Sequence, residues 1–557
     1  MIVRFSGEKY KAFNEFDLSI KPLTILLGAN SCGKSAIINS LLMLSQTVDT
    51  ASISESALRL NGKKVGMGES LNIIKDKNHD NILSFSFEFD ESKVIKKHLD
   101  SLKRDIIEAH FMVTRFITQV CRQNKELLDK IYFITNDIDN IYFNGDTYNV
   151  RSLKKVASRL IAIIKLYRNN KEKLKRGRPH SGFITKYVED VSFKKMNDCL
   201  TGMVPISITR LAAHKVKYSF KYDRKNSVLV ISELSLFNKS KELIAKITRE
   251  SSDSIKLESE VIDNSILKNS RKEITKLLNL DTFSFVRTDF TRVAPVNYFN
   301  ESSNPVASYF VRVLQASMAE LMNELSDLNV NHVSPLRAFP QRYYLLDKSI
   351  HHSQLNALDG TELAEVLKKN PNIKDSINLL LAEFNIAVEV EKVNDIIHKI
   401  TVNQEAVHLE LTDVGFGISQ VLPILVQAYL SPKYSITIIE QPEIHLHPKM
   451  QAWLTDALIK IALSDNKRFL IETHSDALVR RLRLRIVDEN SPLTENEVGI
   501  YHLERNKNSN CTEFKRIPIS ADGDITWPSD FMDVEINDTI MIQKMKLNKL
   551  LKSNGAL

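Results

Sequence analysis

The sequence lacks any apolar run near the roughly 18 residues that a helical membrane span needs, so no membrane partner is expected. Its four cysteines, Cys32, Cys121, Cys199 and Cys511, are too scattered for a CxxC metal site or a disulfide framework. The opening segment, Met1 to Lys9, has no apolar signal core, and a cytoplasmic location is the expectation. Glycine (16) and proline (15) each fall below their usual shares of ~7% and ~5%, which argues for long helices and against an immunoglobulin-like array. What is present is an ordinary globular mix, 43% apolar and 26% charged, in 557 residues. At about 150 residues per domain that length suggests two to four domains.

The charge is local. The chain carries a net +8, yet residues 151–178 hold eleven Lys/Arg (Arg151, Lys154, Lys155, Arg159, Lys165, Arg168, Lys171, Lys173, Lys175, Arg176, Arg178) and one acid, Glu172. That stretch is therefore +10 and the remainder −2. Leu153, Val156, Leu160, Ile163 and Tyr167 form an apolar stripe through it, with Arg151, Lys155 and Arg159 stacked on another face and Gly177 and Pro179 ending it. Such a face suits phosphate backbones without reading bases; a solvated face and a dock for an acidic protein are the alternatives.

Hydrophobic periodicity divides the chain into four segments. Residues 1–90 open with strands at Ile2–Phe5 and Thr24–Leu27, a helix at Ala36–Leu44, and a half-buried strand in which Phe85, Phe87 and Phe89 alternate with polar residues. Residues 91–205 read as a helical basic insertion. Residues 206–335 complete the first lobe with strands at Ser227–Ile231 and Leu243–Thr248 and a helix from about Val306 to Leu328. Residues 336–557 form a second lobe whose runs Ser435–Ile439 and Arg468–Ile471 look like buried parallel strands.

Four motifs carry chemistry. Gly28-Ala29-Asn30-Ser31-Cys32-Gly33-Lys34-Ser35 fits G-x-x-x-x-G-K-[ST] between a strand and a helix. Its glycines let backbone N–H groups wrap an anion, Lys34 is placed to reach terminal phosphates, and Ser35 Oγ to ligate Mg²⁺. Leu411-Thr-Asp-Val-Gly-Phe-Gly417-Ile-Ser419-Gln420 precedes an apolar helix, Val421 to Tyr429, as a second anion-binding helix start that Ser419 is expected to cap or to equip for a phosphate. Ile436-Thr-Ile-Ile-Glu440-Gln441-Pro-Glu443 is an apolar strand ending in acids, with Glu440 the candidate holder of the metal's water shell. Phe469-Leu-Ile-Glu-Thr-His474 places a histidine after the next strand. His445 and His447 fit a loop better than a metal site, and adjacent His474, Ser475 and Asp476 cannot form a hydrolytic triad.

The order of phosphate loop, helical insertion, glycine signature, acidic strand end and histidine resembles the ABC/SMC class of P-loop ATPases. The Glu440-Gln441-Pro-Glu443-Ile-His-Leu-His run resembles the form found in RecF, overcoming-lysogenisation-defect and DUF3696-type AAA proteins. Trp527-Pro-Ser-Asp-Phe-Met-Asp533 resembles the ending of the DUF3696 group, and the layout also resembles PtuA, the ATPase of Septu and some retron anti-phage systems. The resemblance implies an α/β, ABC-type ATPase head, a P-loop core sheet with an additional β-subdomain, interrupted by a largely helical insertion. It implies ATP and Mg²⁺ as cofactors, and a homodimer or higher homo-oligomer in which Gly417 and Ser419 of one subunit close on the phosphate loop of the other. His474 then matches the switch histidine that contacts the γ-phosphate. Gln441 stands where the family's catalytic glutamate is expected; an amide orients water but is not a general base, so Glu443 or another group takes the proton, or turnover is slow. A separate nuclease or toxin effector chain, in anti-phage defence, is the expected partner, and nucleic acid is one candidate ligand of the basic face at 151–178. An ATP-bound scaffold holding such a partner inactive, and a RecF-like DNA-repair ATPase, are the alternatives.

Overall fold

The computed structural model describes residues 1–49, 57–90, 93–135, 149–174, 182–251, 254–285, 302–337, 340–345, 362–404, 407–506, 511–527 and 538–547. Residues 175–179 of the basic stretch, the Lys173 side chain and residues 528–533 of the Trp527 motif lie outside the described residues. The chain divides into two compact units, the first made of Met1–Tyr10 and Gln46–Leu325, the second of Lys11–Ser45 and Ser326–Leu557.

In the first unit an antiparallel sheet runs in the order β8 (Ile255–Glu258), β7 (Leu243–Arg249), β6 (Val228–Phe237), β5 (Lys215–Asp223), β4 (Leu83–Phe89), β1 (Ile2–Tyr10). The alternation in β4 holds for Phe85, Phe87 and Phe89, which are fully buried, with Phe5 stacked on Phe87 at 5.4 Å between centroids. The expectation that its other face is wet is corrected. Ser84 and Ser86 are buried as well, and Ser84 shares a hydrogen bond with Ser219 across the strand pair at 3.2 Å. Small hydroxyls that satisfy one another are compatible with a covered face, so alternation alone does not expose it.

Residues 93–205 supply helices Lys93–Cys121, Lys125–Thr135, Val150–Asn170, Gly182–Asp190 and Phe193–Asp198. The third begins where Asn149 accepts a hydrogen bond from the Arg151 N–H, the usual reason for Asn at a helix start. Its whole apolar stripe, from Leu153 to Tyr167, is buried.

The second unit holds the parallel core. Its strand order is β2 (Phe13–Ser19), β17 (Cys511–Ile517), β16 (Val498–Asn506), β3 (Leu23–Gly28), β15 (Arg468–Glu472), β14 (Ile436–Glu440), β9 (Val330–Val333). β16, β3, β15, β14 and β9 are mutually parallel and β17 is antiparallel to β16. The runs are apolar throughout because both faces are covered: Ile25, Ile439 and Ile471 share a core with Leu422, Leu425, Trp453 and Leu458 of helices Phe416–Leu430 and Pro448–Ser464. Helix Pro448–Ser464 is the crossover that a parallel β14–β15 pair requires. A smaller antiparallel sheet pairs β12 (Ile397–Gln404) with β10 (Tyr344–Leu345), β11 (Ile386–Lys392) and β13 (Val407–Glu410).

Candidate nucleotide-binding site

The carboxyl ends of parallel strands in open α/β sheets are where ligands bind, because loops diverge there and helix N-termini point inward. β3, β14 and β15 place the sequence-identified residues on that edge. Glu440 ends β14 directly opposite Glu472, which ends β15, and Glu472 in turn pairs with Leu26, two residues before Gly28.

The phosphate loop leaves β3 through Gly28, whose φ of +142° disfavours any side chain. A Cβ there would lie 2.3 Å from the Leu503 carbonyl oxygen, and one at Gly33 (φ +107°) 2.8 Å from the Phe13 ring. Ser31 adopts the left-handed region at φ +62°. The loop is thereby held open as a backbone cradle, tied from below by Thr512 Oγ1, which donates to the Cys32 carbonyl at 2.9 Å. Cys32 itself is buried, and burial raises its thiol pKa. Ala29, Asn30 and Ser31 form the exposed rim, and helix Lys34–Asp49 begins immediately afterwards.

Lys34 is 4% exposed, and its ammonium donates to the carbonyls of Gly28 and Ala29, both at 3.0 Å. Glu472 lies 3.7 Å from the same nitrogen and accepts from Ser35 Oγ at 3.2 and 3.4 Å. Burial, followed by the neighbouring Glu440 carboxylate, pushes the Glu472 pKa up to about 7, with Lys34 opposing. Glu440 is held from its other side by His332 Nε2 at 2.7 Å. Ser35, Glu440 and Glu472 are hard oxygen donors, the set that suits Mg²⁺ together with phosphate oxygens.

Gln441 sits at φ +44°, and its N–H donates to the Glu472 carbonyl at 2.7 Å. Arg337, 7% exposed, clamps this turn: one Nη2 donates to the carbonyls of both Glu440 and Gln441 at 3.1 Å. Its Nε and Nη1 have no hydrogen-bond partner among the described residues, and burial lowers its pKa to about 10, leaving it charged at neutral pH. Glu443 is fully engaged, one oxygen accepting from Thr473 Oγ1 and the other from the His474 N–H, each at 2.7 Å. It therefore ties the loop after β14 to the loop after β15. The His474 ring is exposed, and its pKa is lowered by partial burial and by Lys34, with Glu443 opposing, which favours the neutral ring. Ser475 caps the next helix, donating to Gln451 while its oxygen accepts from the Leu478 N–H, and His447 caps helix Pro448–Ser464 through Nδ1.

The glycine signature differs from expectation in one respect. Helix Phe416–Leu430 starts earlier than the apolar pattern suggests, with Gly415 at the N-cap and no side-chain cap. Ser419 therefore lies a turn inside and is 4% exposed, so it does not cap the helix. Gly415 and Gly417 have ordinary negative φ values; a Cβ at Gly415 would meet nothing within 4 Å and one at Gly417 only Leu446 at 3.8 Å. The fold of this unit does not require either glycine.

Sequence reasoning missed Glu472, His332 and Arg337. Two apolar, β-branched runs that both end in Glu were the available signal for Glu472. Nothing local marks His332 or Arg337, which reach the site from β9 and the turn after it.

A family model described as an AAA ATPase domain matches residues 1–479. Comparison with curated proteins finds no match. Among solved structures the chain is similar to the SMC head domain from Thermotoga maritima (6% identity, TM-score 0.32, 93% of this chain and 99% of that one). It is also similar to an Smc head bound to the C-winged helix domain of ScpA (8%, 0.35, 93% and 98%) and to the Pyrococcus furiosus Smc head with an extended coiled coil, bound to the C-terminal domain of ScpA (8%, 0.32, 93% and 96%). These TM-scores are too low to argue from. The family match covers most of the chain and includes Gly28–Ser35, Arg337, Glu440, Gln441, Glu443, Glu472 and His474: the protein belongs to the AAA ATPase domain family.

Proposed function

We propose that the protein is an ABC-like ATPase that binds ATP with Mg²⁺, pairs head to tail around the nucleotide, and controls a separate nucleic-acid-directed effector, with anti-phage defence as its setting. The observation that carries this reading is the convergence of Gly28–Ser35, Glu440, Glu472 and His474 on one sheet edge. The backbone cradle fits a polyphosphate, since its two glycines stand where any side chain would clash. Ser35 and Glu440 would hold the cation, which when bound neutralises charge developing on the transferred phosphoryl group. Lys34 would exchange its two carbonyl partners for phosphate oxygens, and His474 offers a ring nitrogen at the same edge. The open glycines at 415 and 417 favour close approach from outside the chain, as a head-to-tail pair needs.

Gln441 supports a second reading, an ATP-bound scaffold with slow turnover that holds a nuclease or toxin chain inactive. Glu443, with both oxygens committed to the His474 loop, serves there as a latch rather than a base.

Light-scattering mass with and without ATP·Mg²⁺ tests the pairing. Wild type is expected to double, whereas Lys34→Ala stays constant and Gly415→Glu binds ATP without doubling. An ATP-independent mass for wild type, or doubling of Lys34→Ala, contradicts the proposal. A turnover assay then separates the two readings.

A further inference from the structure

Glu472 has no place in the motif reading, yet it contacts both the phosphate loop and the end of β14. Its carboxylate faces Ser35 Oγ and Lys34 Nζ, its neighbour across the parallel pair is Glu440, and its carbonyl accepts the Gln441 N–H. Its side chain is 6% exposed. A carboxylate buried this deeply costs several kcal/mol unless its oxygens are matched. Here the cation beside it is Lys34, at 3.7 Å, which already spends two N–H bonds on loop carbonyls, while Glu440 adds a second carboxylate at the neighbouring strand end. The geometry leaves hard oxygens from three chain segments, Ser35, Glu440 and Glu472, facing one small volume, the donor chemistry of a divalent cation that also binds phosphate. A purely structural role would not need the charge, because a Gln carbonyl accepts from Ser35 Oγ equally well.

We infer that Glu472 is a second carboxylate for the divalent cation, holding it or its bound water from the β15 side while Ser35 holds it from the start of helix Lys34–Asp49 and Glu440 from the end of β14. This rests on the nucleotide reading above. The strand register is what delivers it: Glu440 and Glu472 end neighbouring strands at the same level, so their side chains leave the sheet together.

The test is Mn²⁺ binding followed by electron paramagnetic resonance in the presence of ADP, with fluorescent-ADP affinity in EDTA as a metal-free control. Glu472→Gln is expected to weaken Mn²⁺ about 10- to 100-fold, the usual effect of losing a supporting carboxylate, while metal-free ADP affinity is unchanged or tighter because a negative charge beside Lys34 is gone. Glu472→Asp, which keeps the charge, is expected to retain more Mn²⁺ affinity than Gln and guards against a folding defect in the first variant. Mn²⁺ affinity within twofold of wild type in Glu472→Gln, with Glu440→Gln weakened, overturns the inference alone. If Ser35→Ala and Glu440→Gln are also without effect, the nucleotide–metal reading itself is wrong.

Discussion

The sheet edge of the second unit and the basic helical region of the first show two ways of placing charge. At the edge, each charged group is fixed by a strand end or tight turn and most are buried; Lys34, Glu472 and Arg337 are all under 10% exposed. In the helical region, Arg151, Lys154 and Lys155 point to solvent. Others there are committed internally. Arg168 donates to the carbonyls of Val188 and Val191 at 2.8 Å and covers the Phe193 ring, and Lys171 pairs with Glu189. A charge run in sequence is thus a mixture of surface and scaffold, whereas a strand-end acid is already in position.

That contrast can be broken by substitution. The largest effect is expected for Lys34→Ala, which removes charge-assisted hydrogen bonds each worth about 1.5–3 kcal/mol and should weaken ATP at least roughly 100-fold by calorimetry. Arg337→Leu should leave ATP affinity near wild type but lower single-turnover hydrolysis on the order of 100-fold, because a turn displaced by about 1 Å costs that much. Arg337→Lys, which can reach one carbonyl, should recover part of it.

The third prediction concerns pH. Glu472 has its pKa raised from the usual glutamate value to about 7, so the folded state favours its protonated form. The stability this contributes is complete below the unfolded value near 4.5 and is lost as pH rises through about 7. Between pH 5 and 8, nucleotide-free wild type should therefore lose on the order of 3 kcal/mol relative to Glu472→Gln, measured by thermal or denaturant unfolding. Identical pH profiles would remove the burial argument.

In the first unit the two kinds of basic residue should separate. Arg168→Ala is expected to destabilise by about 2 kcal/mol through its two lost carbonyl bonds. Lys154→Glu with Lys155→Glu should change stability by less than about 0.5 kcal/mol, while lowering DNA or RNA affinity at low salt if that face binds a polyanion. No change in binding would leave it a solvated face.

The sequence makes much of this legible where a motif and its flanks are contiguous. Gly28–Ser35, the strand end at Glu440, and the stripe from Leu153 to Tyr167 all follow from short-range pattern. β2 escapes because its apolar positions, Phe13, Phe16 and Leu18, break strict alternation. The roles of Glu443 and Arg337 escape for a different reason: each is set by partners remote in sequence, Thr473 and His474 for one and the backbone of Glu440 and Gln441 for the other. The capping role expected of Ser419 fails because the helix start depends on Gly415 and Phe416, not on where the apolar pattern begins.

The most direct test of the central claim is amide hydrogen exchange with and without ATP·Mg²⁺. Protection is expected in residues 28–37, 440–446 and 472–476, with helix Val150–Asn170 unchanged. Protection absent from those three segments, or concentrated in the basic helix, would contradict the assignment of the sheet edge as the nucleotide site.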